Sequence, residues 1–246
     1  MDRAGRTAEG RRRQRVLLAV LGAVAVIAVA VAVVVALRGR DGRGESTGPG
    51  TYRGPLAPAS RTPDGATVMT RAGVTRPVLE IFEDFQCPVC RAMEHIVGPT
   101  IKKLAAEGRV RVVYWPFQLF RGPASEPLAS NSRRAANAAL CAPVDRWPAY
   151  HDTLYAHQPE EGVAGFEPAQ LVAWGRETGI TDAGFAACVE KMHKAAQVDV
   201  MTRYATRTRK VDATPTVFLN GRALDLQAQL LDAGALERAV LDAGRG

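Results

Sequence analysis

The sequence has few residues that bind metals, with four histidines and four cysteines among 246 residues. No histidine stands in a C-x-x-H or H-x-x-x-H pattern. Cys141 and Cys188 are too far apart to supply the second close ligand pair that a zinc site usually has. We therefore expect no metal and keep a structural zinc module only as an alternative that metal analysis would decide.

Positive charge is also scarce outside the N-terminal region. The chain has a formal net charge of +7, but residues 1–43 contain nine arginines and three acidic residues, which accounts for +6. A general nucleic-acid-binding surface needs several clustered cations. The remaining +1 therefore argues against nucleic acid as a partner.

A long uncharged segment occupies residues 16–37. As a helix it would be about 33 Å long, which matches a bilayer core of about 30 Å. It is longer than the apolar region of a signal peptide, and an Arg-Gly-Arg sequence follows it instead of a small-residue cleavage site. We expect an uncleaved transmembrane helix in preference to a cleaved signal or a buried helix.

The charges around this segment predict its orientation. Six arginines precede it and three follow, which predicts a single-pass protein of the cell membrane with residues 1–15 in the cytoplasm and the C-terminal region outside. Residues 38–65 are rich in Gly, Pro, Ser and Thr and are predicted to be a flexible linker. A single extracytoplasmic domain would then occupy residues 66–246.

Within this domain, the hydrophobic pattern predicts an α/β fold. Apolar, β-branched runs predict strands, and apolar residues at helical spacing predict helices. The predicted strands are 78–82, 110–115, 216–219 and 222–224. The predicted helices are 88–107, 125–141, 146–157, 167–178, 182–210 and 226–241. This order predicts a central mixed sheet flanked by helices, with an all-helical lobe inserted at about 124–210.

The strongest chemical motif is Cys87-Pro88-Val89-Cys90, which follows a strand and begins a helix. Free amide groups and the helix dipole favour a thiolate at Cys87. Cys90 lies one turn further on the same face and can attack a mixed disulfide at Cys87. The alternatives are a zinc half-site or a structural thiol pair, although so small a loop would constrain the unfolded chain little.

A second motif, Thr214-Pro215-Thr216-Val217-Phe218, begins a later strand. Together with residues 83–90 and the helical insertion, it resembles the thioredoxin superfamily, and specifically its DsbA-like branch, over roughly residues 66–243. The resemblance implies a thioredoxin fold with a cis Pro215 beside the two sulfurs. It also implies that Thr214 and Pro215, with Pro88 and Val89, bind an extended polypeptide.

Two positions depart from the family pattern. Many relatives carry a buried acid six residues before the first cysteine, where this chain has Ile81. Strand alternation places Glu80 on the opposite face, and Glu83 could share the face of Ile81, so no proton acceptor is assigned. The strongest oxidants have histidine before the second cysteine, and Val89 here predicts a milder oxidant because it cannot hydrogen-bond a thiolate.

The other two cysteines, Cys141 and Cys188, lie in predicted helices among Ala and Val. We expect them to form a structural disulfide that fastens the helical lobe. In the chain-entropy model, a loop of this length stabilises the fold by about 4 kcal/mol. The alternative is a pair of buried free thiols.

We therefore expect an anchored thiol-disulfide oxidoreductase that oxidises cysteines in exported polypeptides without a bound cofactor. The resemblance implies reoxidation by a quinone-linked membrane partner of the DsbB or vitamin K epoxide reductase type. The alternatives are a thiol reductase or isomerase, and a non-catalytic module that binds polypeptides in the Pro215 groove.

Overall fold

A six-stranded mixed sheet forms the centre of the computed structural model, which describes residues 52–245. The strand order is β1-β2-β4-β3-β5-β6. Central β3 runs parallel to β4 and antiparallel to β5. The strands are β1 (Ala59–Arg61), β2 (Thr67–Met69), β3 (Val78–Glu83), β4 (Arg111–Pro116), β5 (Thr216–Leu219) and β6 (Arg222–Ala223).

Both faces of the sheet are covered, so neighbouring side chains of the central strands enter different cores. Ile81 and Tyr114 pack into one core with the first helix of the domain. Phe82 and Trp115 pack into the other, with their rings stacked at a centroid distance of 5.9 Å. Burial on both faces explains why the residues of these strands are mostly apolar and do not alternate regularly between apolar and polar.

Helix α1 (Pro88–Ala106) connects β3 to β4 and packs on the first core. Its N-cap, Cys87, has an extended backbone. Pro88 occupies the first turn, where a backbone N–H would have no hydrogen-bond partner within the helix, so proline loses none there. Gly108, at a φ of 72°, stops the helix in a left-handed conformation that glycine adopts without strain.

The predicted helical insertion is present as five α-helices. They are α2 (Leu128–Cys141), α3 (Trp147–Ala156), α4 (Pro168–Glu177), α5 (Ala183–Glu190) and α6 (Ala195–Arg203). A short 3-10 turn, Pro123–Ser125, precedes them, and a π-helical turn, Tyr204–Thr208, follows.

The prediction of one continuous helix over residues 182–210 is wrong. The chain turns between α5 and α6, where Met192 has a φ of 53°. Asn137 of α2 fixes this turn, since its side chain accepts a hydrogen bond from the Lys194 amide (2.9 Å) and donates one to the Val189 carbonyl (3.4 Å). These bonds satisfy backbone groups that an unbroken helix would have paired internally.

The closing helix is also divided. A π-helical turn, Leu226–Leu230, precedes α7 (Ala233–Ala243). Asp225 accepts a hydrogen bond from the Ala228 amide (2.7 Å), and Asp232 accepts one from the Ala235 amide (2.9 Å). Each aspartate thus caps the N-terminus of one helical segment, and the predicted single helix is two segments.

The predicted linker, residues 38–65, extends too far. Its part at Ala59–Arg61 is β1, which pairs with β2 in the sheet. The predicted cytoplasmic segment 1–15, the transmembrane helix 16–37 and the linker up to residue 51 lie outside the described residues. Between residues 52 and 245, no helix is both long and apolar enough to span a membrane.

Candidate active site

Cys87 and Cys90 lie at the junction of β3 and α1, where the sheet ends and the helix begins. Cys87 is 5% exposed and Cys90 is fully buried. Both are free thiols. Val89 between them is 40% exposed, so the motif presents an apolar side chain to solvent beside a single reachable sulfur.

The Thr214-Pro215 segment lies against Cys87. The peptide bond between Thr214 and Pro215 is cis, and the Cys87 thiol donates a hydrogen bond to the Thr214 carbonyl, with an Sγ–O distance of 3.3 Å. The antiparallel pairing of Phe82 with Thr216 brings this segment to the end of β3. The structure therefore brings together two motifs that are 127 residues apart in sequence.

The two thiols have opposite acidities. A hydrogen bond from the Cys90 thiol lowers the pKa of Cys87 from 9.0 to about 7, although burial acts in the other direction. Burial, followed by the hydrogen bond and charge of Cys87, raises the pKa of Cys90 well above 9.0. Near neutral pH, Cys87 is thus the thiolate of the pair and Cys90 keeps its proton.

The loop before Cys87 is fixed by the helical lobe, which the sequence did not indicate. The Gln158 amide donates hydrogen bonds to the carbonyls of Phe85 (2.7 Å) and Cys87 (2.9 Å). Asp84 accepts hydrogen bonds from the Leu119 amide (2.7 Å) and the Ser132 hydroxyl (2.5 Å). Since these partners come from distant segments, no local motif could have predicted them.

A cluster of buried ionisable residues lies beneath the cysteines. His151 of α3 contacts Glu83 at the end of β3, with an Nε2–Oε1 distance of 2.8 Å and both side chains fully buried. Glu94 and Lys102 of α1 and Asp152 of α3 complete this group, which we call the buried charge cluster. Of these five residues, only Glu83 was a candidate from the sequence.

Three members of the buried charge cluster could in geometry hold a metal ion. One ligand atom each from Glu83, Glu94 and His151 lies within 4.8 Å of the others. However, the Lys102 ammonium group is 3.9 Å from a Glu94 oxygen, and a metal ion would have to be accommodated beside this charge. These three side chains are therefore better suited to binding protons than to binding a metal ion.

The remaining cysteines lie in the helical lobe. Cys141, the last residue of α2, forms a disulfide with Cys188 of α5, with their Cα atoms 5.9 Å apart. This bond crosses the lobe between two helices that pack together.

A C-x-x-C motif at the start of a helix, beside a cis-proline and on a mixed sheet, defines a class of proteins that exchange thiols and disulfides. A family model described as thioredoxin matches residues 74–235, and the chain belongs to this family. Its fold and solved relatives make it a DsbA-like thiol-disulfide oxidoreductase, as the sequence motifs predicted.

Comparison with solved structures agrees with this assignment. The reduced form of the disulfide bond oxidoreductase DsbG from Mycobacterium tuberculosis is 27% identical, with a TM-score of 0.60 over 75% of this chain and 86% of that one. Reduced DsbA from the same organism is 26% identical, with a TM-score of 0.59 over 75% and 90%. BdbD from Bacillus subtilis shares the fold, with 18% identity and a TM-score of 0.61 over 78% and 100%. No curated protein matches the chain.

Proposed function

We propose that this protein oxidises cysteine pairs in exported polypeptides through a disulfide between Cys87 and Cys90. The observation that carries the proposal is the opposite acidity of the two thiols. Hydrogen bonds stabilise the Cys87 thiolate, which lowers its pKa and makes it a good leaving group, whereas buried Cys90 is shielded from substrate.

The reaction passes two electrons from the substrate to the protein. A substrate thiolate attacks the Cys87 sulfur, the Cys87–Cys90 bond breaks, and Cys90 leaves with the electron pair and takes up a proton. A second substrate thiolate then attacks the substrate sulfur of the mixed disulfide. Cys87 leaves as a thiolate, and the substrate keeps a new disulfide. A quinone-linked membrane partner, of the DsbB or vitamin K epoxide reductase type, would then accept the two electrons.

The substrate site follows from the surface around Cys87. Thr214, whose carbonyl contacts Cys87, and Pro215 are partly exposed, as is Pro88, and Val89 is exposed. This apolar surface favours an extended, unfolded polypeptide over a folded domain. The Val89 side chain has no group that could hydrogen-bond the Cys87 thiolate, which supports a milder oxidant than relatives with histidine there.

The extracytoplasmic setting is part of the proposal. A structural disulfide such as Cys141–Cys188 persists in oxidising compartments and is rare in the cytosol. The uncharged segment at residues 16–37, with its excess of preceding arginines, supports an anchor that places the domain outside.

The decisive experiment is oxidative refolding of a reduced, unfolded protein with several cysteines. We expect the oxidised protein to introduce disulfides stoichiometrically, and we expect Cys87→Ser and Cys90→Ser, neither of which can form the Cys87–Cys90 disulfide, to abolish the reaction. A Cys87→Ser variant that retained full function would favour a polypeptide-binding module instead.

Redox direction is tested by equilibration with glutathione. A potential of about −120 to −200 mV supports an oxidase or isomerase, whereas one near −270 mV supports a reductase. A Cys87→Ala variant, which cannot form the Cys87–Cys90 disulfide, is the matched control.

A further inference from the structure

The positive charge of the domain is concentrated at one end of the sheet. Residues 52–246 have 23 basic and 21 acidic side chains, which gives a net charge of only +2. Five arginines lie at the end where β3 and β4 begin, and we call this surface the basic end: Arg71, Arg76, Arg109, Arg111 and Arg222. Because these five charges exceed the net charge of the domain, its remaining residues are negative as a whole.

Strand pairing brings three of the arginines together. Arg76 lies two residues before Val78, and Val78 pairs with Arg111 in the parallel register of β3 and β4. Arg222 follows the turn between β5 and β6. This turn is fastened to the start of β3, because the Asn220 side chain accepts a hydrogen bond from the Val78 amide (2.9 Å).

The end of α1 adds the other two arginines. The Arg71 side chain donates a hydrogen bond through Nε to the carbonyl of Ala106, the last residue of α1. Arg109 is held beside it by Gly108, where a Cβ would be only 3.5 Å from the Arg71 Cδ. The adjacent Glu107 is acidic, so the basic end has an excess of four positive charges.

The arginines of the basic end have no acidic partners. Four of them are exposed and Arg111 is partly exposed. Nearby, Lys103 pairs with Glu237 (3.0 Å) and Arg245 pairs with Asp242 (3.1 Å). Among residues 52–245, no acid lies within ion-pair distance of the five arginines. Their charges are therefore available to an anionic partner.

The basic end lies opposite the catalytic cysteines. Cys87 follows β3 and begins α1, whereas the basic end lies where β3 begins and α1 ends. Helix α1 has 19 residues and is about 28 Å long, at about 1.5 Å per residue. A partner bound at the basic end would therefore leave Cys87 and its substrate surface uncovered.

The chain enters the domain at this same end. Strand β1 begins at Ala59, which pairs with Met69 of β2. Met69 in turn pairs with Val112 of β4, the residue after Arg111. Residues 52–58 therefore join the sheet at the basic end. The preceding part of the chain contains the uncharged segment 16–37, for which we proposed a membrane anchor.

A surface that carries many separate phosphate groups fits this arrangement. Each guanidinium group can bind phosphate oxygens through two parallel hydrogen bonds. Neighbouring strands are about 4.8 Å apart, so arginines on several strands are too widely spread for one small anion. Phospholipid headgroups can contact all of them at once, and an anchor in the same chain would keep the headgroups at a high effective concentration.

We propose that the basic end docks on anionic phospholipid headgroups and holds Cys87 away from the membrane, toward exported polypeptides. The proposal rests on the anchor and the extracytoplasmic setting of the proposed function, and it does not depend on redox direction. Because salt screens contacts between exposed charges, the docking is reversible. The domain can therefore leave the surface to meet a reoxidising partner in the membrane.

The test measures how fast arginines react with phenylglyoxal in the oxidised full chain, by mass spectrometry of individual residues. The chain is placed in nanodiscs of phosphatidylcholine, with or without phosphatidylglycerol. With phosphatidylglycerol, Arg71, Arg76, Arg109 and Arg222 should react at least about threefold more slowly, which corresponds to a docked fraction of about two thirds. About 0.5 M salt should abolish the difference.

The same chain contains its own reference residues. Arg176 of α4 and Arg207 are exposed and lie in the helical lobe, away from the start of β3. Their rates should be the same in both kinds of nanodisc. Equal rates for the basic end in both lipids would overturn the proposal, and so would slowing that is as large for Arg176 and Arg207.

A variant tests whether the arginines act together. In the triple variant Arg76→Gln, Arg109→Gln and Arg222→Gln, the slowing at Arg71 should be lost. The control, Arg176→Gln with Arg203→Gln and Arg207→Gln, removes the same charge from the lobe and should keep the slowing. Slowing at Arg71 that persisted in the first variant would contradict docking through the basic end, and the comparison of lipids decides the question in the wild type even if the variant does not fold.

Failure of this inference differs from failure of the proposed function. Both triple variants should oxidise a reduced, unfolded protein in detergent at the wild-type rate, because the substitutions lie away from Cys87. A chain that oxidises this substrate but reacts equally in both lipids would retain the proposed function without the docking. A chain that does not enter nanodiscs would contradict the anchor, and this inference with it.

Discussion

Removal of the Cys90 thiol should raise the pKa of Cys87. The hydrogen bond from Cys90 is the largest cause of the low Cys87 pKa of about 7. A hydrogen bond to a charged group contributes about 1.5–3 kcal/mol, and one pKa unit corresponds to about 1.4 kcal/mol. Cys90→Ala should therefore raise the Cys87 pKa by about one to two units.

The effect on reactivity is expected to be smaller than the effect on ionisation. At pH 7, a rise of one to two units lowers the thiolate fraction about five- to fiftyfold. A thiolate of higher pKa is a better nucleophile, with a Brønsted coefficient of about 0.4–0.5, so the rate should fall only about two- to sixfold. Thiolate absorbance is therefore the sensitive assay, and alkylation rates are the secondary one.

Cys90→Ser provides the matched control, because its hydroxyl keeps a hydrogen-bond donor at the same position. We expect the Cys87 pKa to stay near 7 in Cys90→Ser and to rise in Cys90→Ala. If both variants titrate as the wild type does, the acidity of Cys87 comes from the Thr214 side chain and the backbone amides at the helix terminus, and the role assigned to the Cys90 thiol is wrong.

Three further perturbations test the stability of the fold. Because the Cys87 pKa is lowered in the folded state, its contribution is complete above the unfolded pKa of 9.0 and is lost as pH falls through about 7. Urea unfolding should therefore show the reduced protein gaining about 2 kcal/mol relative to the oxidised protein between pH 7 and pH 9; equal pH dependences would contradict this. Replacing Cys141 and Cys188 by alanine should reduce the free energy of unfolding by about 4 kcal/mol in the chain-entropy model, and a loss under 1 kcal/mol would leave the disulfide without a structural role. Gln158→Ala removes two buried hydrogen bonds and should destabilise the fold by about 2 kcal/mol, with faster proteolysis before Cys87; an unchanged unfolding midpoint would mean that water replaces the amide.

The sequence was sufficient for those features that local pattern determines. The apolar runs located the central strands, and the cysteine and proline motifs identified the family, because thiol chemistry needs these residues within a few positions of each other. Helix ends were predicted poorly where a distant side chain fixes a turn. Asn137 divides the predicted 182–210 helix, and it lies more than fifty residues before that turn.

Glu83, the acid beneath the cysteines, shows more clearly what could not be predicted from the sequence. Alternation along β3 allowed Glu83 to share the face of Ile81, but it gave no partner for its charge. His151 is 68 residues away, and the lobe that carries it approaches β3 only in the folded protein. The four-residue spacing from Cys90 to Glu94 and Lys102 was readable in the sequence, but a polar face on a helix ordinarily indicates exposure to solvent. Only its burial distinguishes this face from a surface one.

The structural disulfide also bears on the active site through α2. Cys141 ends the helix that carries Asn131 and Ser132, and these two side chains hydrogen-bond Gln86 and Asp84 in the loop before Cys87. Fastening the end of α2 to α5 therefore restrains the helix on which that loop depends. Since lobe residues also supply Gln158 and His151, the insertion does more than cover the sheet. It holds the reactive loop and completes the buried charge cluster, so loss of the disulfide should lower exchange rates as well as stability.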